Sequence, residues 1–376
     1  MKKLRIGIVG CGFIATRKHL PMLVPHEDVE VVAFCDSVKE RAEASAKQFG
    51  TPDAKTYLDY RDLVARDDID VVHVCTPNSS HAEISIAALQ SGKHVMCEKP
   101  MAKTSAEAKA MLDAAQASGK KLTIAYQNRF RSDSQFIKSL CDKGDLGDIY
   151  LGKAFATRRR GVPTWGVFMN KKLQGGGPLI DLGTHALDLT LWMMNNYEPV
   201  SALGSTYSKL AKIGSPANSM GPWDPEKYEV EDSAFGMVKF KNGATVILEA
   251  SWAINMIVTN EAMTMLVGTK AGVDMFPAAG PILRVADFQS AEGLNVRVNG
   301  EYNGKLYIQN YAMGAQFIGN GKPEDFSGGT LEMSTWLDSI RHDTEVVVKP
   351  EQAYTVTRIL EAIYRSAETG ELVYFE

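Results

Sequence analysis

Cysteine is scarce in this chain, and its five copies, Cys11, Cys35, Cys75, Cys97 and Cys141, include no CxxC pair. An odd count without paired spacing argues against a disulfide framework and a structural zinc site, and no residue set is expected to hold a metal. Four of the five fall at or just past the ends of predicted strands, where a small apolar thiol suits a buried sheet. Long apolar runs are also missing: no window approaches the roughly 18 uninterrupted apolar residues of a membrane span. The start, Met1-Lys2-Lys3, leads into an apolar stretch broken by Gly7, Gly10 and Gly12 and followed by Arg17 and Lys18. With no cleavage-site pattern it does not read as a signal peptide, and a cytoplasmic protein is expected. Nor is there an excess of one charge. A net charge of −4 points to neither nucleic acid nor a membrane surface as partner. The one basic run, Arg158-Arg159-Arg160, reads as a solvated patch or as a source of one substrate contact. Internal repeats and low-complexity tracts are absent.

What is present is enough for two cores: 376 residues, 45% of them hydrophobic and 23% charged. Short apolar runs at 4–9, 29–35, 71–75, 93–97 and 121–126 alternate with helical patterns at 13–24, 37–49, 79–91 and 104–118. This alternation predicts an α/β domain over 1–126 with a doubly wound parallel sheet. Past residue 145 the pattern changes. A strand over 149–160 and a buried helix over 178–195 precede a meander in which 232–241 and 244–253 are joined by Asn242-Gly243, a hairpin signal. Asn299-Gly300 and Asn303-Gly304 punctuate later strands, 209–228 reads as a long loop, and helices are expected at 329–343 and 350–369, with Gly370 as a stop. Residues 127–376 therefore read as an α+β domain with a mostly antiparallel sheet.

The stretch Gly10-Cys11-Gly12-Phe13-Ile14-Ala15 follows the first strand and opens a helix, whose unpaired N–H groups suit a pyrophosphate. Gly10 allows the turn, Gly12 allows close backbone approach, and Ala15 allows helix and strand to pack; Phe13 and Ile14 open the helix. Asp36, after the next strand, suits the adenosine ribose and repels a 2′-phosphate, so NAD is favoured over NADP, although Ser37, Lys39 and Arg41 leave room for both. Ligands of such sheets lie beyond the strand ends. Three of those ends deliver Thr76-Pro77-Asn78 with His81, then Glu98-Lys99-Pro100, then Asn128-Arg129. Asn78 or Ser79 can instead cap the next helix, with His81 in its first turn.

In the second domain, Gly175-Gly176-Gly177-Pro178 leads into a helix apolar almost all round, on which Asp181, His185 and Asp188 recur at i, i+4 and i+7. Asp181 as a helix cap and His185 as a satisfied core histidine is one reading. Lys99, at the rim where nicotinamide would lie, supports another: a proton-transfer set in which His185 is the base, Asp181 orients its ring and Lys99 stabilises alkoxide charge.

These motifs resemble the glucose–fructose oxidoreductase/inositol dehydrogenase/rhizopine-catabolism (Gfo/Idh/MocA) family over essentially the whole chain. The Glu98-Lys99-Pro100 run with the downstream Asp181-x₃-His185 is the specific part. The resemblance implies an NAD-binding Rossmann domain, catalytic roles for Lys99, Asp181 and His185, and cofactor contacts from Glu98 and Asn128. It also implies a broad open-faced sheet through which a homodimer or homotetramer would form. Lys99, Asp181 and His185 would also touch substrate. The segment 158–166 looks like a substrate-side loop in this family, with Arg158 donating to hydroxyls and Trp165 stacking on a sugar face; a packing tryptophan is the other reading. The expected activity is hydride transfer between NAD and a secondary hydroxyl of a sugar or cyclic polyol. A redox-assisted glycosidase and a non-catalytic NAD-linked sugar sensor are the alternatives.

Overall fold

Six short strands, β1 (Leu4–Val9), β2 (Val29–Cys35), β3 (Lys55–Tyr57), β4 (Val71–Val74), β5 (His94–Cys97) and β6 (Leu122–Ile124), form a parallel sheet in the order β3-β2-β1-β4-β5-β6. The structure is a computed structural model and describes residues 3–277, 294–302, 305–312 and 327–376. The strands end flush. Val9 pairs with both Cys35 and Val74, Cys35 with Tyr57, Val74 with Cys97, and Cys97 with Ile124. That register sets Gly10, Asp36, Cys75, Glu98 and Ala125 as the next residue beyond five strands, at one rim of the sheet. β1 and β4 are neighbours although two strands separate them in sequence, which is the switch point where doubly wound sheets bind ligands.

Nine further strands make the second sheet, in the order β14-β13-β12-β11-β7-β10-β9-β8-β15. They are β7 (Ile149–Thr157), β8 (Pro199–Tyr207), β9 (Ser233–Phe240), β10 (Thr245–Ser251), β11 (Glu261–Gly268), β12 (Ala271–Pro277), β13 (Leu294–Tyr302), β14 (Lys305–Ala312) and β15 (Val373–Tyr374). Only β7 and β10 pair in parallel; the rest are antiparallel. The Asn242-Gly243 turn joins β9 and β10, with Gly243 at φ +88°. Asn299 and Gly300 lie inside β13, and Asn303-Gly304 lies outside the described residues. The apolar helix Thr184–Met194 packs against β7 and β11 through Leu189, Trp192 and Met193.

The chain divides into two compact units, Met1–Gln127 with Gly321–Tyr354, and Asn128–Asn320 with Thr355–Glu376. The helix Ser327–Arg341, which the sequence placed with the second domain, belongs to the first. Its Met333, Trp336 and Leu337 are buried in one cluster with Ile6, Ile8, Leu20, Leu23, Phe34 and Met96. Periodicity shows that such a helix has a buried stripe; it does not say which sheet covers it. Truncating fully buried Leu337 to alanine should lower unfolding stability by about 2–5 kcal/mol in a denaturant titration.

Candidate active site

The glycine turn is shaped by what lies behind it. Gly10 has φ +90°, and a Cβ there would sit 2.5 Å from the Cys75 carbonyl oxygen, so no side chain fits. At Gly12 nothing lies within 4 Å of the Cβ position, leaving the backbone approachable. Asp36 is buried and organises both neighbouring turns: one oxygen accepts from Cys11 N–H (2.9 Å), the other from Val38 N–H (2.8 Å). Each oxygen keeps a lone pair for a ribose hydroxyl. Burial, then the charge of Asp36, pushes the Cys11 and Cys35 thiols up to about 12, so both stay protonated and apolar. An approachable turn beside such a carboxylate fits a dinucleotide with an unphosphorylated ribose. Phe13 is exposed and Ile14 half-buried at the helix opening.

That helix runs on through a wide π-helical turn, Ala15–His19, into Leu20–Leu23, and the π turn buries Lys18 and His19 next to each other. Both reach Glu98. Its Oε1 accepts from Lys18 Nζ (3.3 Å) and His19 Nε2 (2.9 Å), and its Oε2 from the backbone N–H of Lys99 (3.1 Å). Lys18 Nζ also meets Gln127 Oε1 (3.0 Å) and Glu332 Oε2 (2.9 Å), so three acceptors surround its three protons. Burial alone would raise the Glu98 carboxyl, but Lys18 and His19 hold it well below the usual range, and it is ionised.

His81 differs from the expectation of a cofactor contact. It is the first residue of the helix His81–Gln90 and fully buried, with Nδ1 2.8 Å from the Pro100 carbonyl oxygen and Nε2 2.9 Å from that of Thr76. Each nitrogen faces a backbone carbonyl and the neutral ring donates to one of them at a time, so the ring sits wedged between the loops after β4 and β5. Thr76 Oγ1 accepts from Ser80 Oγ (2.8 Å), and Asn78 begins the short turn Asn78–Ser80.

In the second unit a second π turn, Leu179–Gly183, opens the helix that carries Asp181 and His185. Its N-terminus is capped from far along the chain. The Glu231 carboxylate accepts from Gly177 N–H (2.8 Å), Leu179 N–H (3.1 Å) and Tyr364 Oη–H (2.7 Å). A Cβ at Gly176 would overlap the Tyr364 hydroxyl, and one at Gly177 the Glu231 backbone, which explains the glycines before the helix. Asp181 Oδ2 accepts from Trp252 Nε1–H (3.0 Å), and His185 lies buried one turn on. Asp188, the third polar residue, has a structural partner: Arg129 Nε and Nη2 clamp it at 2.9 and 2.5 Å, with both side chains buried. This pair ties the helix to the segment that carries Asn128. Burial pushes Asp188 up, against the pull of Arg129.

Arg158 departs from its expected role as a hydroxyl donor. Its Nε and Nη2 meet the Glu261 oxygens at 2.6 and 2.5 Å, and its Nη1 donates to the Gly161 carbonyl. Trp165 is 46% exposed and starts an aromatic row: Phe168 at 5.9 Å, then Trp252 at 6.3 Å from Phe168, whose indole N–H holds Asp181. Lys99 belongs to the first unit, and Asp181, His185 and Trp165 to the second. Lys18, His19, Glu231 and Trp252 were not found from the sequence. Adjacent Lys18 and His19, just inside the helix that follows the glycine turn, were the available signal for the first two. Among the described residues no group of His, Cys, Asp and Glu is placed to hold a metal ion, and no helix is long and apolar enough to cross a membrane.

The two glycines give separable outcomes. Gly10→Ala should unfold or strongly destabilise the first unit, because positive φ and a backbone clash coincide. Gly12→Ala should keep the circular dichroism spectrum and weaken NAD binding in fluorescence titration about tenfold or more.

Residues 4–126 match the family model described as oxidoreductase family, NAD-binding Rossmann fold, and residues 134–274 match the GFO/IDH/MocA C-terminal domain. The chain is 35% identical over 370 residues to D-glucoside 3-dehydrogenase of Escherichia coli K12, covering 98% of this chain and 97% of that one. It is 30% identical over 275 residues to levoglucosan dehydrogenase of Pseudarthrobacter phenanthrenivorans, covering 67% and 68%. Among solved structures, the aldose–aldose oxidoreductase of Caulobacter crescentus complexed with glycerol superposes with a TM-score of 0.75 at 27% identity, covering 99% of this chain and all of that one. The chain belongs to the Gfo/Idh/MocA family of NAD-binding oxidoreductases.

Proposed function

We propose that this protein is an NAD-dependent dehydrogenase that oxidises a secondary ring hydroxyl of a pyranoside or a related cyclic polyol. The observation that carries the reading is the built setting of the Asp181–His185 helix. A distant carboxylate caps its start, an indole N–H holds Asp181, and the clamped Arg129–Asp188 pair fixes its far side. A sugar sensor has no use for a proton-transfer pair held in this way. Residues Gly10, Gly12 and Asp36, with the Thr76 and Glu98 strand ends, would hold NAD, and Asn128 is a further cofactor contact in this reading. When bound, NAD supplies the hydride acceptor.

In this reading His185 takes the proton from the substrate hydroxyl as general base. Asp181, anchored through Trp252, orients the imidazole and stabilises its positive charge once the proton has arrived. The Lys99 ammonium donates to the hydroxyl oxygen as negative charge grows there. Trp165 offers an exposed aromatic face to a sugar ring. The near full-length similarity to a D-glucoside 3-dehydrogenase puts glucopyranosides, and their 3-hydroxyl, first among substrates. The exposed side chains Leu203, Tyr207 and Met237 share a face of the second sheet, where Leu203 and Met237 are cross-strand partners. A homodimer or homotetramer through that face belongs to the same reading.

A panel of glycosides, aldoses and inositols, followed by NADH absorbance, tests the activity. At least one pyranoside should reduce NAD faster than NADP. Lys99→Ala and His185→Ala should each lower kcat/KM about 10²–10⁴-fold with NAD binding kept. Free sugar released without net NADH would replace the reading with a redox-assisted glycosidase. For the assembly, Met237→Glu should shift the sedimentation coefficient toward the monomer.

A further inference from the structure

Behind Glu98 the hydrogen bonds continue inward. His19 Nδ1 lies 2.8 Å from His73 Nδ1, and His73 Nε2 lies 3.3 Å from Trp336 Nε1. His19 and His73 are fully buried, and Trp336 nearly so. We propose that His19 is a positioning residue for Lys99, acting through Glu98, and that Trp336 and Glu98 together impose one proton arrangement on the His19–His73 pair. The proposal rests on the reading of Lys99 as a catalytic group.

The arrangement follows from what the two ends can do. An indole N–H only donates, so His73 Nε2 must accept and its proton must sit on Nδ1. His73 Nδ1–H then donates to His19 Nδ1, which accepts, and the single proton of His19 sits on Nε2. There it donates to Glu98 Oε1, an ionised carboxylate that only accepts. A second proton on His73 would face the indole N–H, and a second proton on His19 would face the Nδ1–H of His73. Two neutral imidazoles with their protons pointing the same way is the pattern that satisfies all three contacts.

The pair thus brings a donor to Glu98 without bringing a charge. The carboxylate is fixed on one oxygen by His19 and Lys18, and its other oxygen accepts the Lys99 amide. Without His19, one lone pair of a buried carboxylate loses its partner, and the side chain has reason to turn away from that amide. The charged and titratable groups around the pair come from every neighbouring element. Lys18 shares the π turn with His19, Cys75 follows β4, and Cys97, Glu98 and Lys99 lie at the end of β5. Glu332 is on the helix Ser327–Arg341. Burial, then the nearness of His19 and Lys18, holds His73 well below the usual imidazole range. Burial also pushes the Cys75 thiol well up, with Glu98 adding to it, so this thiol adds no charge near neutral pH.

Three variants and one spectroscopic measurement test this. His19→Leu fills a similar volume with no donor, whereas His19→Gln can accept from His73 and donate to Glu98. His19→Leu should lower kcat about 10–100-fold while the sugar KM and the NAD dissociation constant stay within about threefold, and His19→Gln should recover most of the loss. Ring ¹⁵N spectra of the selectively labelled wild-type protein should show one protonated and one bare nitrogen in each imidazole from about pH 6 to 8, with the His73 proton on Nδ1. Trp336→Phe removes the N–H that opposes a second proton on His73. That ring should then take its second proton at a higher pH than it does in the wild type, read in the ring spectra. Should His19→Leu not fold, the Trp336→Phe titration and the ring spectra still decide. The proposal is overturned by a reversed tautomer, by a doubly protonated ring at neutral pH, by unchanged kcat in His19→Leu, by no recovery in His19→Gln, or by no upward shift of the second His73 protonation in Trp336→Phe. The ring spectra do not depend on turnover, so an inactive-site outcome for Lys99 is told apart from a failure of the hydrogen-bond chain.

Discussion

An ionised carboxylate removed from water needs a donor for each exposed lone pair, and meeting that need for Glu98 organises much of the first unit. Leaving such a charge unpaired would cost several kcal/mol or more, comparable to the whole stability of a domain. It has three donors: Lys18 and His19 on the helix after the glycine turn, and the backbone N–H of Lys99. Lys18 then needs further acceptors and finds Gln127 and Glu332. Glu332 stands on a helix more than 200 residues away in sequence, whose Met333, Trp336 and Leu337 are packed into the same core. Charge pairing and apolar packing therefore agree on where that helix belongs.

The second unit meets the same need at a different scale. Glu231 sits where a local serine or aspartate would ordinarily cap a helix, and it accepts from two backbone N–H groups and a tyrosine hydroxyl. Bringing it close requires bare backbone at Gly176 and Gly177. The reward is a helix start fixed by three hydrogen bonds, on which Asp181 and His185 ride. Burial pushes Glu231 up, against the pull of its three donors and of the positive end of the helix.

The legible and illegible parts of the sequence divide along the same line. The parallel sheet, the glycine turn, Asp36, the Glu98-Lys99-Pro100 strand end and the Asp181–His185 helix were readable because each rests on local periodicity or on a motif of fixed spacing. The Asn242-Gly243 hairpin was readable for the same reason. The roles of His81 and Arg158 came out differently, since a residue type at a rim shows what it can bond, not what its neighbours have already taken. His81 was taken by two carbonyl oxygens and Arg158 by Glu261. Glu231, Trp252 and the Ser327–Arg341 helix act over 52 residues or more, and no local pattern encodes such a pairing.

The helix after the glycine turn and the helix that carries Asp181 and His185 each hold a π turn near their start, Ala15–His19 and Leu179–Gly183. A π turn holds one residue more than the α-helical path around it, and one residue corresponds to about 100° of rotation about the axis. Chain length at each of these places therefore sets local geometry in its own right. Removing a single residue from either turn would leave composition and hydrophobicity almost untouched while swinging Lys18 and His19, or Asp181, off the bearing their partners require. A one-residue gap in either segment acts on geometry, where a point change acts on chemistry.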